Sequence, residues 1–65
     1  MYANKIKMTS DGNELKLIDV TTDKDKKKMI NYEYTKSLTK KGKKLSLTER
    51  EYENLIRKQI AEKVE

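Results

Sequence analysis

A chain of 65 residues with 16 Lys and Arg, 11 Asp and Glu, and neither Cys nor His is one domain at most, and it buries only about 60% of the surface its unfolded form exposes. Those absences exclude a disulfide framework, a Cys/His zinc site and the common nucleophile–base pairs of catalysis. No apolar run approaches the roughly 18 residues of a membrane span, and the N-terminus has no signal-peptide core, so the expectation is a cytoplasmic protein without membrane contact. So small a core also predicts a homodimer or higher homo-oligomer, because association supplies the burial that one copy lacks.

Dividing the net charge of +5 locates it. Residues 1–47 hold 12 Lys against 6 acids, whereas residues 48–65 hold 4 basic and 5 acidic side chains. The excess belongs to the first part, which is read below as sheet, so a polyanion would meet the sheet.

Residues 3–9 place Ile6 and Met8 on one side and Lys5 and Lys7 on the other, the period of two expected of a half-buried strand. Ser10-Asp11-Gly12-Asn13 is a tight-turn signal, since Asp-Gly tolerates the positive φ that hairpin turns require. A second strand follows over Glu14–Val20. Leu15, Leu17 and Asp19 share one side and Lys16, Ile18 and Val20 the other, which makes the strand apolar on parts of both faces and suits a central position or a dimer contact. Thr21–Lys28 has no apolar residue and is a solvated connection or a protruding hairpin tip that touches phosphates.

Ile30, Tyr32 and Tyr34 then alternate with polar neighbours in the clearest strand of the chain. Thr39–Lys43 turns the chain, with Gly42 suited to a left-handed position, and Lys44–Leu47 forms a fourth strand. Thr48 as N-cap with Glu51 as its capping-box partner, and Leu47 with Tyr52 as a hydrophobic staple, mark a helix start. From there Tyr52, Leu55, Ile56, Ile60 and Val64 recur at helical spacing. They predict an amphipathic helix over 49–64, about 24 Å long. The expected fold is α+β: a four-stranded antiparallel sheet over 3–47 followed by one C-terminal helix, dimeric, in the order β-β-β-β-α. Leu55, Ile56, Ile60 and Val64 either complete the protein's own core or meet the partner subunit.

Nucleic-acid binding is the chemistry these residues suit best, because lysines neutralise phosphates and aromatic rings stack unpaired bases. The candidate contacts are Lys5, Lys7, Lys16, Lys26, Lys27, Lys28, Lys36, Lys40, Lys41, Lys43 and Lys44, with Tyr32 and Tyr34 as stacking platforms. A stripe of Ile30, Tyr32 and Tyr34 on one face equally suits core beneath the helix. Asp11, Glu14 and Asp19, or Asp23 and Asp25, are the acids available to hold Mg²⁺ for phosphodiester cleavage. A hairpin Asp is read first as a turn residue, so no cofactor is expected unless the protein nicks DNA.

The segment GKKLSLTEREYENL resembles the C-terminal signature of the positive cofactor four family of transcriptional coactivators. Lys43, Leu45, Ser46, Leu47 and Leu55 match its pattern, and Tyr52 stands where that family has Trp; LKLIDV at 15–20 is similar to its second strand. Lys44 replaces the family's small residue, and the strand aromatics are represented by tyrosines alone. The resemblance implies a dimer of four-stranded sheets, each with one helix, binding single-stranded or unwound DNA with little sequence preference. It also implies a phage or mobile-element setting, including an anti-CRISPR type that nicks supercoiled DNA. Two other readings remain: LSLTEREYENL is similar to the entry into an OmpR-type winged-helix domain, although residues 1–65 leave no room for a recognition helix. A basic inhibitor of a host protein, with no nucleic-acid contact, is the other.

Overall fold

The computed structural model describes residues 2–64. The alternation of Ile30, Tyr32 and Tyr34 builds β3 (Lys28–Lys36), which pairs antiparallel with β2 (Glu14–Thr22) on one side and β4 (Lys44–Thr48) on the other. β1 (Lys5–Met8) lies beyond β2, and helix α1 (Glu49–Arg57) leads to a further strand, β5 (Ala61–Lys63), which pairs antiparallel with β1. The sheet therefore has five strands in the order β4-β3-β2-β1-β5, one more than the periodicity predicts. The fold is α+β, and the helix carries the chain from one edge of the sheet to the other.

The start of α1 follows its signals. The Thr48 hydroxyl accepts from the Glu51 amide at 3.2 Å, and the Glu51 carboxylate accepts from the Thr48 amide at 3.0 Å, so two otherwise orphaned donors are satisfied. Thr48→Ala is expected to cost about 1 kcal/mol, read as a lower urea midpoint with an unchanged slope.

The end of α1 corrects the expectation of a helix over 49–64. Gln59 takes the left-handed region with φ of 58°, its amide donates to the Ile56 carbonyl at 3.1 Å, and the Ile60 amide donates to the Leu55 carbonyl at 2.9 Å. This is a Schellman closure without its usual glycine. The Thr9 hydroxyl donates to the carbonyls of Gln59 and Ile60 at 2.8 and 2.9 Å, and its amide reaches the Ile60 carbonyl as well. Tertiary contacts thus hold a turn that local propensity disfavours. Beyond it, Ala61 sits opposite Met8 and is buried, which continued helix would not allow. Gln59→Gly is expected to raise stability by up to about 1 kcal/mol by relieving the left-handed strain, measurable in the same urea titration.

β2 also departs from simple alternation. Its register against β3 shifts between Leu17 and Asp19, so Leu17 opposes Tyr32 while Asp19 opposes Asn31 and Val20 opposes Ile30. Ile18 is the extra residue of a β-bulge. The shift puts Val20 rather than Asp19 on the side of Leu15 and Leu17, and it explains why the strand reads as apolar on both faces. Asp19 instead accepts from the Asn31 side chain at 2.7 Å on the face away from the core.

The core lies between one face of the sheet and α1, and comprises Ala3, Ile6, Leu15, Ile30, Tyr32, Tyr34, Leu47, Tyr52 and Ala61. Residues 2–4 thread into it. The Ala3 amide donates to the Tyr52 hydroxyl at 3.0 Å, and the Tyr32 hydroxyl donates to the Ala3 carbonyl at 2.7 Å. Tyr32 and Tyr52 lie parallel with centroids 6.4 Å apart, and Tyr2 meets Tyr52 edge-on at 5.2 Å. Phenol groups can serve in so small a core because the backbone of Ala3, just before β1, satisfies them.

Candidate nucleic-acid interface

All eleven candidate lysines are exposed, but the register sorts them into three settings. On the face of the sheet away from α1, Lys16 lies opposite Glu33, which lies opposite Lys44, and Lys7 lies between Glu14 and Glu62. Cross-strand neighbours of opposite sign offset one another, so this face is a mixed surface. Lys5, opposite Lys16, completes it. Its centre is a polar network: the Asn31 side chain donates to Asp19 and to Thr21 (3.2 Å), and accepts from the Ser46 hydroxyl at 2.7 Å. Sequence reading misses this network, because only the register brings β2, β3 and β4 side chains into one row.

The β2–β3 hairpin tip is the second setting. Asp23 accepts from the amides of Asp25 and Lys27, both at 2.9 Å, and Lys26 takes a left-handed φ of 61°. Because Met29 pairs with Thr48, this tip stands beside the start of α1, and Lys26, Lys27, Lys28 and Arg50 share one shallow depression with Thr48 and Glu49. Spacing along the chain could not reveal that Arg50 joins these lysines.

The third setting is the β3–β4 connection with its flanks, Lys36–Lys44, reading KSLTKKGKK, whose end residues Lys36 and Lys44 also lie opposite Glu14 and Glu33 in the sheet. It holds five lysines and no acid, while the other 56 residues hold 11 basic and 11 acidic side chains. The whole net charge of +5 therefore sits in these nine residues. The loop has a defined shape: the Ser37 hydroxyl accepts from the Lys40 amide at 3.1 Å, the Tyr34 amide donates to the Lys43 carbonyl and the Gly42 amide to the Tyr34 carbonyl, both at 2.9 Å. Gly42 has φ of 88°, the left-handed position for which glycine is suited. The Lys40 ammonium stands 5.6 Å from the Tyr34 ring centroid, a cation–π distance. An open depression of about 310 Å³ runs from this loop to the β1–β2 turn.

The two stacking candidates do not reach this surface as platforms. Tyr32 is fully buried and Tyr34 is 9% exposed, so of the two readings open to the stripe, core is the one that matches. Burial also pushes the Tyr32 hydroxyl well above the usual tyrosine pKa, with Tyr52 adding to the rise, which keeps it a neutral donor to Ala3.

The acids serve local structure. Asp11 accepts from the Asn13 amide and side chain at 3.0 and 3.1 Å, Asp23 shapes the hairpin tip, Asp19 holds Asn31, and Glu14 pairs with Lys36 at 3.6 Å. Among the described residues, no three His, Cys, Asp or Glu side chains gather as a metal site, and no helix is long and apolar enough to cross a membrane.

The dimer candidates separate. Leu55 and Ile56 pack partly buried against their own core, whereas Ile60 and Val64 lie outside α1 and are 39% and 50% exposed.

Comparison with family models, with curated proteins and with solved structures finds no match for this chain.

Proposed function

We propose that the protein binds single-stranded or distorted DNA with little sequence preference, through phosphates held by Lys36, Lys40, Lys41, Lys43 and Lys44, with Lys26, Lys27, Lys28 and Arg50 as a second contact. The observation that carries this reading is the confinement of the net charge to one acid-free, ordered loop. A charge needed only for solubility has no reason to gather there, whereas phosphate neutralisation requires it. The likeness of GKKLSLTEREYENL to the positive cofactor four signature points the same way. Affinity comes from the DNA backbone, and Tyr32 and Tyr34, both in the core, take no part in it by base stacking.

The test is fluorescence anisotropy with labelled 20-mers, single-stranded and duplex, at low salt. Binding that favours the single strand is expected; no binding to either would overturn the reading. We place a second copy on Ile60 and Val64, the exposed apolar pair flanking β5, where it would double the lysines presented. Sedimentation is expected to give the mass of a dimer, falling to that of a monomer for Ile60→Glu with Val64→Glu. A wild-type monomer would contradict the assembly but not the phosphate contact.

A further inference from the structure

One side chain in the basic loop has a character opposite to its setting. Leu38 lies within the Lys36–Lys44 segment and is completely exposed, at 104% of its reference area. Lone exposed apolar residues are common, but this one combines three properties. It is the large apolar residue most exposed among the described residues. It is flanked on both sides by lysines with no acid within the segment. Its backbone is fixed in a turn, with the Ser37 hydroxyl accepting from the amides of Thr39 and Lys40, so its position relative to those lysines is set before any partner arrives.

We infer that Leu38 is a wedge that enters an opened base step while the surrounding lysines hold the phosphates on either side. This rests on the nucleic-acid reading above and specifies its target: a duplex with an unstacked or easily unstacked step, such as a bulge, a mismatch or a flexible pyrimidine–purine step. An aliphatic side chain has no hydrogen bond to offer a base edge, but it can cover the base face that unstacking exposes to water. Unstacking costs a few kcal/mol, least where the step is already open. A wedge therefore gives a preference for damaged or distorted DNA without reading sequence. Tyr34, the nearest aromatic to this loop in the chain, is closed to such contact by its burial.

The experiment uses the full chain and three 20-bp duplexes carrying 2-aminopurine beside a paired step, a TA step or a single-base bulge. The wild type is expected to bind the bulged duplex about tenfold more tightly than the paired one and to raise its 2-aminopurine fluorescence. Leu38→Ser is expected to bring the two affinities within about twofold and abolish the fluorescence rise, with the salt dependence of binding unchanged because every lysine remains. Leu38→Ala is expected to fall between them. Preference and fluorescence retained by Leu38→Ser would overturn the wedge and leave phosphate binding standing, whereas absence of binding to all three duplexes and to single strands would overturn both. Vesicles of phosphatidylserine and phosphatidylcholine form the remaining arm: Leu38-dependent binding to them, with no 2-aminopurine response, would assign the side chain to a lipid surface and overturn the inference.

Discussion

Replacing Tyr32 with alanine is expected to remove about 3–5 kcal/mol of stability, a large part of what a domain of this size possesses. The ring is fully buried between α1 and the sheet and lies parallel to Tyr52, so truncation leaves a cavity that its neighbours cannot fill. Tyr32→Phe separates packing from hydrogen bonding. The ring remains, but the Ala3 carbonyl loses its 2.7 Å donor, and a buried orphan acceptor costs about 1–3 kcal/mol. Urea unfolding followed by circular dichroism measures both, and a Tyr32→Phe midpoint equal to wild type would show that the hydroxyl does not hold the N-terminal segment. The same group sets an alkaline limit. Its folded pKa is raised above the ordinary 10.0, so the neutral form is favoured in the folded state. The stability it contributes is fully present below about pH 10 and is lost above it, as the unfolded chain ionises first.

Replacing Lys36, Lys40, Lys41, Lys43 and Lys44 together with glutamine is expected to lower affinity for single-stranded DNA at least about a hundredfold at low salt, with little change in the urea midpoint. These side chains are exposed, and the one ion pair among them, Lys36 with Glu14, is a solvent-facing contact at 3.6 Å of small value. Replacing Lys5, Lys7 and Lys16 is expected to change affinity much less, because Lys7 and Lys16 face acids across the sheet, as Lys36 and Lys44 do, whereas Lys40, Lys41 and Lys43 lie outside the strand pairs. Similar losses from the two sets, scaled to the charges removed, would show that net charge alone drives binding and that the loop has no special part.

The elements with local causes were legible in the chain. Thr48 and Glu51 announce their capping box, Asp11-Gly12 and Gly42 announce turns, and Ile30, Tyr32 and Tyr34 announce β3. What could not be read has non-local causes. Ile60 and Val64 continue the helical period, yet Thr9, fifty residues earlier, holds the Gln59 and Ile60 carbonyls and β1 offers an edge for Ala61–Lys63. The bulge at Ile18 depends on the partner strand, since only pairing with β3 decides whether Asp19 or Val20 turns inward. The same holds for the basic surface. The positions of the lysines are plain in the chain, but they do not show that the sheet face balances its own charge or that Arg50 stands beside the hairpin tip.

The salt dependence of binding to a single-stranded 20-mer tests the central claim most directly. If the five loop lysines neutralise phosphates, log K plotted against log salt is expected to fall with a slope at least as steep as about −3.5, and the glutamine variant of the same five positions is expected to lose about that much of it. Binding with a slope near zero, or a slope that the five substitutions leave intact, would contradict the account.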